Sequence, residues 1–236
     1  MTRKLSKADV CVLIPAYNEE KNIRRVIEST LSRGYSILVV DDGSTDGTPE
    51  VIRSTGAPAL LAPINMGKGA SLKRGLKRIR ESSYHAAILL DADGQHPIEE
   101  SERFIAALDA GADLVIGSRM ADTRHMPFIR VATNRFMSSI ISWAAGQRVD
   151  DTQCGYRALS RAAIEKIELK SDRFETESEM IFSAADHGLK IVSVPISCVY
   201  GDEVSHIRPV RDTARFFKFY FAYLRGRLTR QSNQVR

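Results

Sequence analysis

The chain has 236 residues, 43% of them hydrophobic and 27% charged, with a formal net charge of +5. That length can bury the core of one large domain, and every apolar stretch is broken within about a dozen residues, short of the roughly 20 that a membrane-spanning helix needs. The charge is lopsided: eight Lys/Arg and one Asp lie from Ser205 onward, leaving 26 Lys/Arg against 28 Asp/Glu before it. This distribution argues against nucleic acid as a partner, since a basic groove would track across the fold, and it points the tail toward an anionic membrane surface.

Met1-Thr2-Arg3-Lys4-Leu5-Ser6 leads straight into a strand-like run with no apolar signal core. Cys11, Cys154 and Cys198 are scattered without metal-ligand spacing, which predicts inert buried thiols and a reducing, cytoplasmic location. Short β-branched runs alternate with amphipathic stretches, the pattern of an α/β fold with a mostly parallel sheet. Strands are expected at residues 10–14, 36–40, 86–90, 113–117 and 191–199, with a weaker one at 59–61. Helices are expected at 21–32, 48–54, 68–81, 98–110, 129–145, 175–187 and 210–225. Pro49 falls near the first position of its helix, where its missing N–H costs nothing. The organisation expected is a catalytic domain over 1–204 and a basic, aromatic arm over 205–236.

Ligands of open α/β sheets bind outside the carboxyl ends of the strands. Three polar clusters are expected on that edge: Pro15 to Glu19, Asp41 to Asp46 and Asp91 to His96. Asp91-Ala92-Asp93-Gly94-Gln95 sets two carboxylates at a strand end, where they repel unless a cation lies between them. Hard oxygen ligands of this kind favour Mg²⁺ or Mn²⁺, with substrate phosphate completing the shell. Asp41-Asp42-Gly43-Ser44-Thr45-Asp46-Gly47-Thr48 reads largely as a turn and helix cap, but two adjacent carboxylates exceed that need, so one is assigned to a ligand.

Ile14-Pro15-Ala16-Tyr17-Asn18-Glu19-Glu20, the Asp-Asp-Gly-Ser-Thr-Asp-Gly-Thr run, Asn65-Met66-Gly67-Lys68-Gly69 and Asp91-Ala92-Asp93-Gly94-Gln95-His96 occur in this order. Together they resemble glycosyltransferase family 2, and within it the polyprenyl-phosphate (dolichyl-phosphate) mannose and glucose synthases. The resemblance implies a GT-A nucleotide-binding sandwich and a metal-dependent, inverting transfer of a hexose from a UDP- or GDP-sugar to a polyprenyl phosphate. It places Pro15, Tyr17, Glu19, Val40, Asp42, Asp91 and Ala92 around the nucleotide, and Asp91, Asp93 and Gln95 on the metal. Arg119, in Gly117-Ser118-Arg119, would contact phosphate, for which its paired donors suit it. Arg130, Asn134 and Arg135 would serve the acceptor. The Asp151-Thr152-Gln153-Cys154-Gly155-Tyr156-Arg157 loop is similar to the acceptor-side loop, nearer in wording to glucose synthases. Around Tyr200 the chain departs from the mannose synthases, which show an arginine there and Ser-Lys where this chain has Ser205-His206. His206 is therefore the candidate donor-phosphate contact, and the donor nucleotide stays open.

A phosphate acceptor, largely dianionic at neutral pH because its second pKa is about 6, needs no dedicated base. A soluble or glycan hydroxyl, the alternative acceptor, needs one, and Asp151 is then the candidate. The arm interleaves Phe216, Phe217, Phe219, Tyr220, Phe221 and Tyr223 with basic residues, as a helix lying in a membrane interface does. Its alternative is packing on the domain or in a homodimer contact. The expected location is the cytoplasm, peripheral at the inner face of the cell membrane.

Overall fold

The structure, a computed structural model, describes residues 4–124, 126–172, 175–197, 216–217 and 219–225. The chain divides into two compact units, Met1–Gly201 and Asp202–Arg236. In the second, the described residues are helical, with Phe216 and Tyr220 stacked at 5.9 Å between ring centroids.

The first unit is built on one seven-stranded sheet of order β3-β2-β1-β4-β6-β5-β7. Its elements run β1 (Val10–Ala16), α1 (Ile23–Ser32), β2 (Ser36–Asp41), α2 (Thr48–Thr55), β3 (Ala59–Leu61), α3 (Lys68–Arg80) and β4 (Ala86–Leu89). They continue with α4 (Ser101–Asp109), β5 (Leu114–Ser118), α5 (Phe128–Ala145), β6 (Arg157–Ser160), α6 (Arg161–Lys166), α7 (Glu175–Asp186) and β7 (Ile191–Pro195). Strands β1, β4 and β5 are buried at every residue, which is why they read as unbroken apolar runs: helices cover both faces, as in parallel sheets generally. Cys11 lies in this core, and burial pushes its thiol up to about 12, so it is inert. Helix α2 starts with Pro49 in its first turn, and α5 stops at Gly146, whose left-handed φ of 70° suits glycine.

Two elements differ from the sequence expectation in ways that matter. β6 and α6 were not anticipated, and β6 runs antiparallel between β4 and β5, with Arg157 opposite Leu89 and Ile116. A reversed strand carries its leading loop, not its trailing one, to the carboxyl edge of its neighbours. The 151–156 segment thus arrives where β4 and β5 release Asp91 and Arg119. The helix expected at 98–110 opens as a short 3₁₀ turn, Ile98–Glu100, before α4. Among the described residues, no helix is long and apolar enough to cross a membrane.

Candidate active site

The loops after β1 and β2 are laced together before any ligand is considered. Asn18 adopts a left-handed φ of 56°, which asparagine tolerates better than most residues. In that pose its side-chain oxygen accepts from the Thr45 N–H at 2.8 Å, while its own N–H donates to Ser44 Oγ at 2.9 Å. The Glu19 N–H donates to Thr48 Oγ1 at 2.8 Å. Asp41 serves its own turn, accepting from Ser44 Oγ and from the N–H groups of Gly43 and Ser44. Asp42 reaches the next loop, taking the Met66 N–H at 3.1 Å and the Gly67 N–H at 2.7 Å. Asp42 thus fixes the entry of α3, and Asp41 the turn that follows β2. Of the residues assigned to the nucleotide, Pro15, Val40 and Ala92 are buried, Glu19 and Asp91 are half-buried, and Tyr17 stands 38% exposed above the edge.

Asp91 leaves β4 and meets Lys68, the first residue of α3, at 2.7 Å from Oδ1 to Nζ. The same ammonium lies 3.0 Å from Glu177 Oε1 on α7. A cation at a helix N-terminus opposes the helix dipole, so two carboxylates are what hold Lys68 there. Burial disfavours its charge, but Asp91 and Glu177 outweigh burial and raise its pKa. Burial likewise pushes Asp91 up, and Lys68 outweighs it, leaving the carboxyl below its usual range. The β6 approach loop packs on this pair through Gly155. A Cβ there would collide with the Asp91 carboxylate and come within 2.9 Å of Lys68 Nζ. Asp93 accepts the Gln95 N–H at 2.9 Å, shaping the turn between them.

The described residues contain no group of three or more His, Cys, Asp or Glu able to cage a metal. Two carboxylates and an amide oxygen, Asp91, Asp93 and Gln95, nevertheless fit Mg²⁺ or Mn²⁺. Mg²⁺ in particular is usually held by one or two carboxylates plus substrate phosphate, with water filling the shell.

Where β5 ends, against α5, lies a closed polar network. Arg119 follows β5 and grips Asp151 in a fork, Nε to Oδ2 at 2.7 Å and Nη2 to Oδ1 at 2.9 Å, with its N–H adding a third bond at 3.2 Å. Asn134 of α5 donates to the same carboxylate at 2.7 Å and is steadied by Ser138 Oγ at 3.0 Å. Asp151 is fully buried. Burial pushes its pKa up, but Arg119 and Asn134 outweigh that and hold it below the usual carboxylate range. Beneath the loop, buried Arg157 donates to the carbonyls of Thr152, Cys154 and Glu177. All three are backbone acceptors, so Arg157 fixes the loop's path. His96 is packed on Tyr156 with 5.6 Å between centroids.

The structure therefore gathers Arg119, Asn134 and Asp151, and separately Asp91 with its neighbours. Arg130 and Arg135 are exposed on α5 and make no ion pair with described residues. His206 lies outside the described residues. Lys68 and Arg157 stood in quoted motifs without a role. The sequence signal for Lys68 was its place directly after Gly67 at a helix start, where a lone cation is out of keeping with the dipole.

Residues 11–168 match glycosyl transferase family 2. A UDP-N-acetylglucosamine–dolichyl-phosphate N-acetylglucosaminyltransferase of Methanococcus voltae is 31% identical over 89% of this chain and 93% of its own length. A polyprenol monophosphomannose synthase of Mycolicibacterium smegmatis is 32% identical over 95% of this chain and 91% of its own. Among solved structures, glucosyl-3-phosphoglycerate synthase from Mycobacterium tuberculosis, in complex with Mn²⁺, UDP and phosphoglyceric acid, superposes with a TM-score of 0.69. That likeness covers 92% of this chain and 78% of the other at 24% identity, a likeness of fold.

Proposed function

This chain belongs to glycosyl transferase family 2, and from that premise we propose that it transfers a hexose, with inversion, from a UDP- or GDP-sugar to a polyprenyl phosphate at the inner face of the membrane. The observation that carries the choice of acceptor is the state of Asp151. A hydroxyl acceptor needs a base, yet this carboxylate is enclosed and bound by Arg119 and Asn134. A depressed pKa makes it a still weaker base. A phosphate monoester brings its own anionic nucleophile, and what it asks of the protein is positioned positive charge. Transfer to lipid phosphates in the names of two relatives supports the same reading.

In this reading an acceptor phosphate oxygen attacks the anomeric carbon in line. The bond from that carbon to the donor's diphosphate oxygen breaks, and the nucleoside diphosphate leaves with the electron pair. Asp91, Asp93 and Gln95 would hold Mg²⁺ or Mn²⁺, which when bound supplies Lewis-acid charge to the leaving diphosphate. Pro15, Tyr17, Glu19, Val40, Asp42 and Ala92 form the nucleotide's surroundings. Lys68 is a positioning residue that sets Asp91 and Glu177. Asp151 is likewise a positioning residue, orienting Arg119 toward the acceptor phosphate, with Arg130 and Arg135 further out on α5.

The test is incubation with Mn²⁺ or Mg²⁺, a panel of UDP- and GDP-sugars and polyprenyl phosphate, followed by chromatography for lipid-linked sugar. One donor should give product. Transfer to a soluble hydroxyl acceptor with no lipid product from any donor would overturn the proposal.

A further inference from the structure

Helix α5 has an exposed face that the catalytic network does not use. Nine large hydrophobic side chains are exposed among the described residues, and four lie on this one helix: Phe128 at 86%, Ile129 at 74%, Phe136 at 57% and Trp143 at 74%. Successive residues of a helix turn by about 100°, so positions seven apart return nearly to the same side. Ile129, Phe136 and Trp143 are spaced in that way and form a stripe. Val131, Asn134, Ser138 and Ile141 lie on the opposite, buried side. Arg130 and Arg135 fall near the two borders of the stripe. The helix is thus apolar on its inner and outer faces, which a water-facing helix is not. The outer face amounts to an apolar patch on the order of several hundred Å², at or beyond what a monomer usually leaves in water.

Charge chooses the occupant. From Phe128 to Ala145 the helix has two arginines and no acidic residue. A second copy of this helix laid against it would bring arginine to arginine with nothing opposite. Anionic headgroups supply the missing charge, and a tryptophan is at home at that depth.

We propose that the outer face of α5 is a membrane-docking surface, seated in the headgroup layer of an anionic bilayer. This rests on the lipid-phosphate acceptor proposed above and deepens it. The inner face of the same helix contributes Asn134 to the Arg119–Asp151 network, so one helix joins the lipid surface to the site. The acceptor's phosphate and its hydrocarbon tail then meet opposite sides of a single element.

Trp143 is the only tryptophan in the chain, so its fluorescence reports this face alone. Full-length protein is titrated with vesicles of phosphatidylglycerol and phosphatidylcholine, and separately with vesicles of lipids brominated along the acyl chain. Trp143 emission should shift to the blue and be quenched by the brominated lipid. Replacing Ile129→Ser with Phe136→Ser, both at exposed positions where the fold is little affected, should weaken partitioning about tenfold or more, while transfer to a short-chain, water-soluble prenyl phosphate is unchanged. Vesicle binding without any change in Trp143 would overturn the inference, leaving the arm as the anchor and the proposed reaction standing. A concentration-dependent dimer that shields Trp143 without lipid would overturn it in favour of a second copy. Failure to glycosylate either prenyl phosphate would strike the acceptor assignment instead, and the emission shift would still decide the surface.

Discussion

Changing Asp151→Asn separates an anchor from a base. The side chain is fully buried and accepts three bonds from Arg119 and one from Asn134. Removing its charge strands a guanidinium that is itself buried, and breaking one partner of a buried ion pair costs about 3–5 kcal/mol. For a domain of this size each kcal/mol is worth roughly 2–4 °C, so the melting temperature should fall by roughly 6–20 °C. Urea unfolding of the wild type, Asp151→Asn, Arg119→Gln and the double variant measures the coupling. The double variant should be little worse than either single, because the stranded charge is gone. Turnover should drop in Asp151→Asn and Arg119→Gln alike, with the pH–rate profile keeping its shape. The sign of the pH dependence of stability follows from the depressed native pKa of Asp151. Its contribution is complete above the unfolded value of about 3.9 and is lost as pH falls through the native value. The wild type should therefore lose stability on acidification below about pH 4, and Asp151→Asn should lose less. An Asp151→Asn protein of native stability, with sharply reduced turnover whose residual rate lacks the acid limb of the wild-type profile, would refute the anchor and restore the base.

Other perturbations test the donor side. Lys68→Met leaves Asp91 and Glu177 without their shared cation and should cost about 1–3 kcal/mol in urea unfolding, together with most of the turnover; unchanged values of both would remove Lys68 from the site. Gly155→Ala drives a methyl into the Asp91 carboxylate and should cost about 1–3 kcal/mol, with donor KM raised more than acceptor KM; a normal donor KM would mean that the Gly155 contact is not needed. Chelation with EDTA should stop transfer and added Mn²⁺ or Mg²⁺ restore it, while Asp93→Ala should not be rescued; full activity in EDTA would contradict a metal on this edge.

What the sequence displayed and what it hid divide along a physical line. β1, β2, β4 and β5 were legible because strands covered on both faces must be apolar throughout, and α2 because Pro49 punctuates its start. The family motifs were legible because they sit in loops at one edge. β6 was hidden: four residues beginning with Arg157 carry no period, and the arginine is buried only because three carbonyls of the surrounding fold receive it. The pairing of Lys68 with Glu177, and of Arg119 with Asp151, joins residues far apart in the chain. The second follows from the loop that leads into the reversed strand, the first from the packing of α3 against α7, and no local pattern records either. The family resemblance assigned Arg130, Asn134 and Arg135 to the acceptor together, whereas the helix turns Asn134 inward and leaves both arginines outside.

The reversed strand also orders the birth of the protein. β4 pairs with β1 on one side and with β6 on the other, and β6 is synthesised only after β5 and α5. Until Arg157–Ser160 leaves the ribosome, Ala86–Leu89 presents an apolar strand with a row of open backbone groups, the kind of edge that recruits other chains. A nascent chain ending before β6 is therefore incomplete at its most adhesive line, and chaperone demand should peak in that interval of translation.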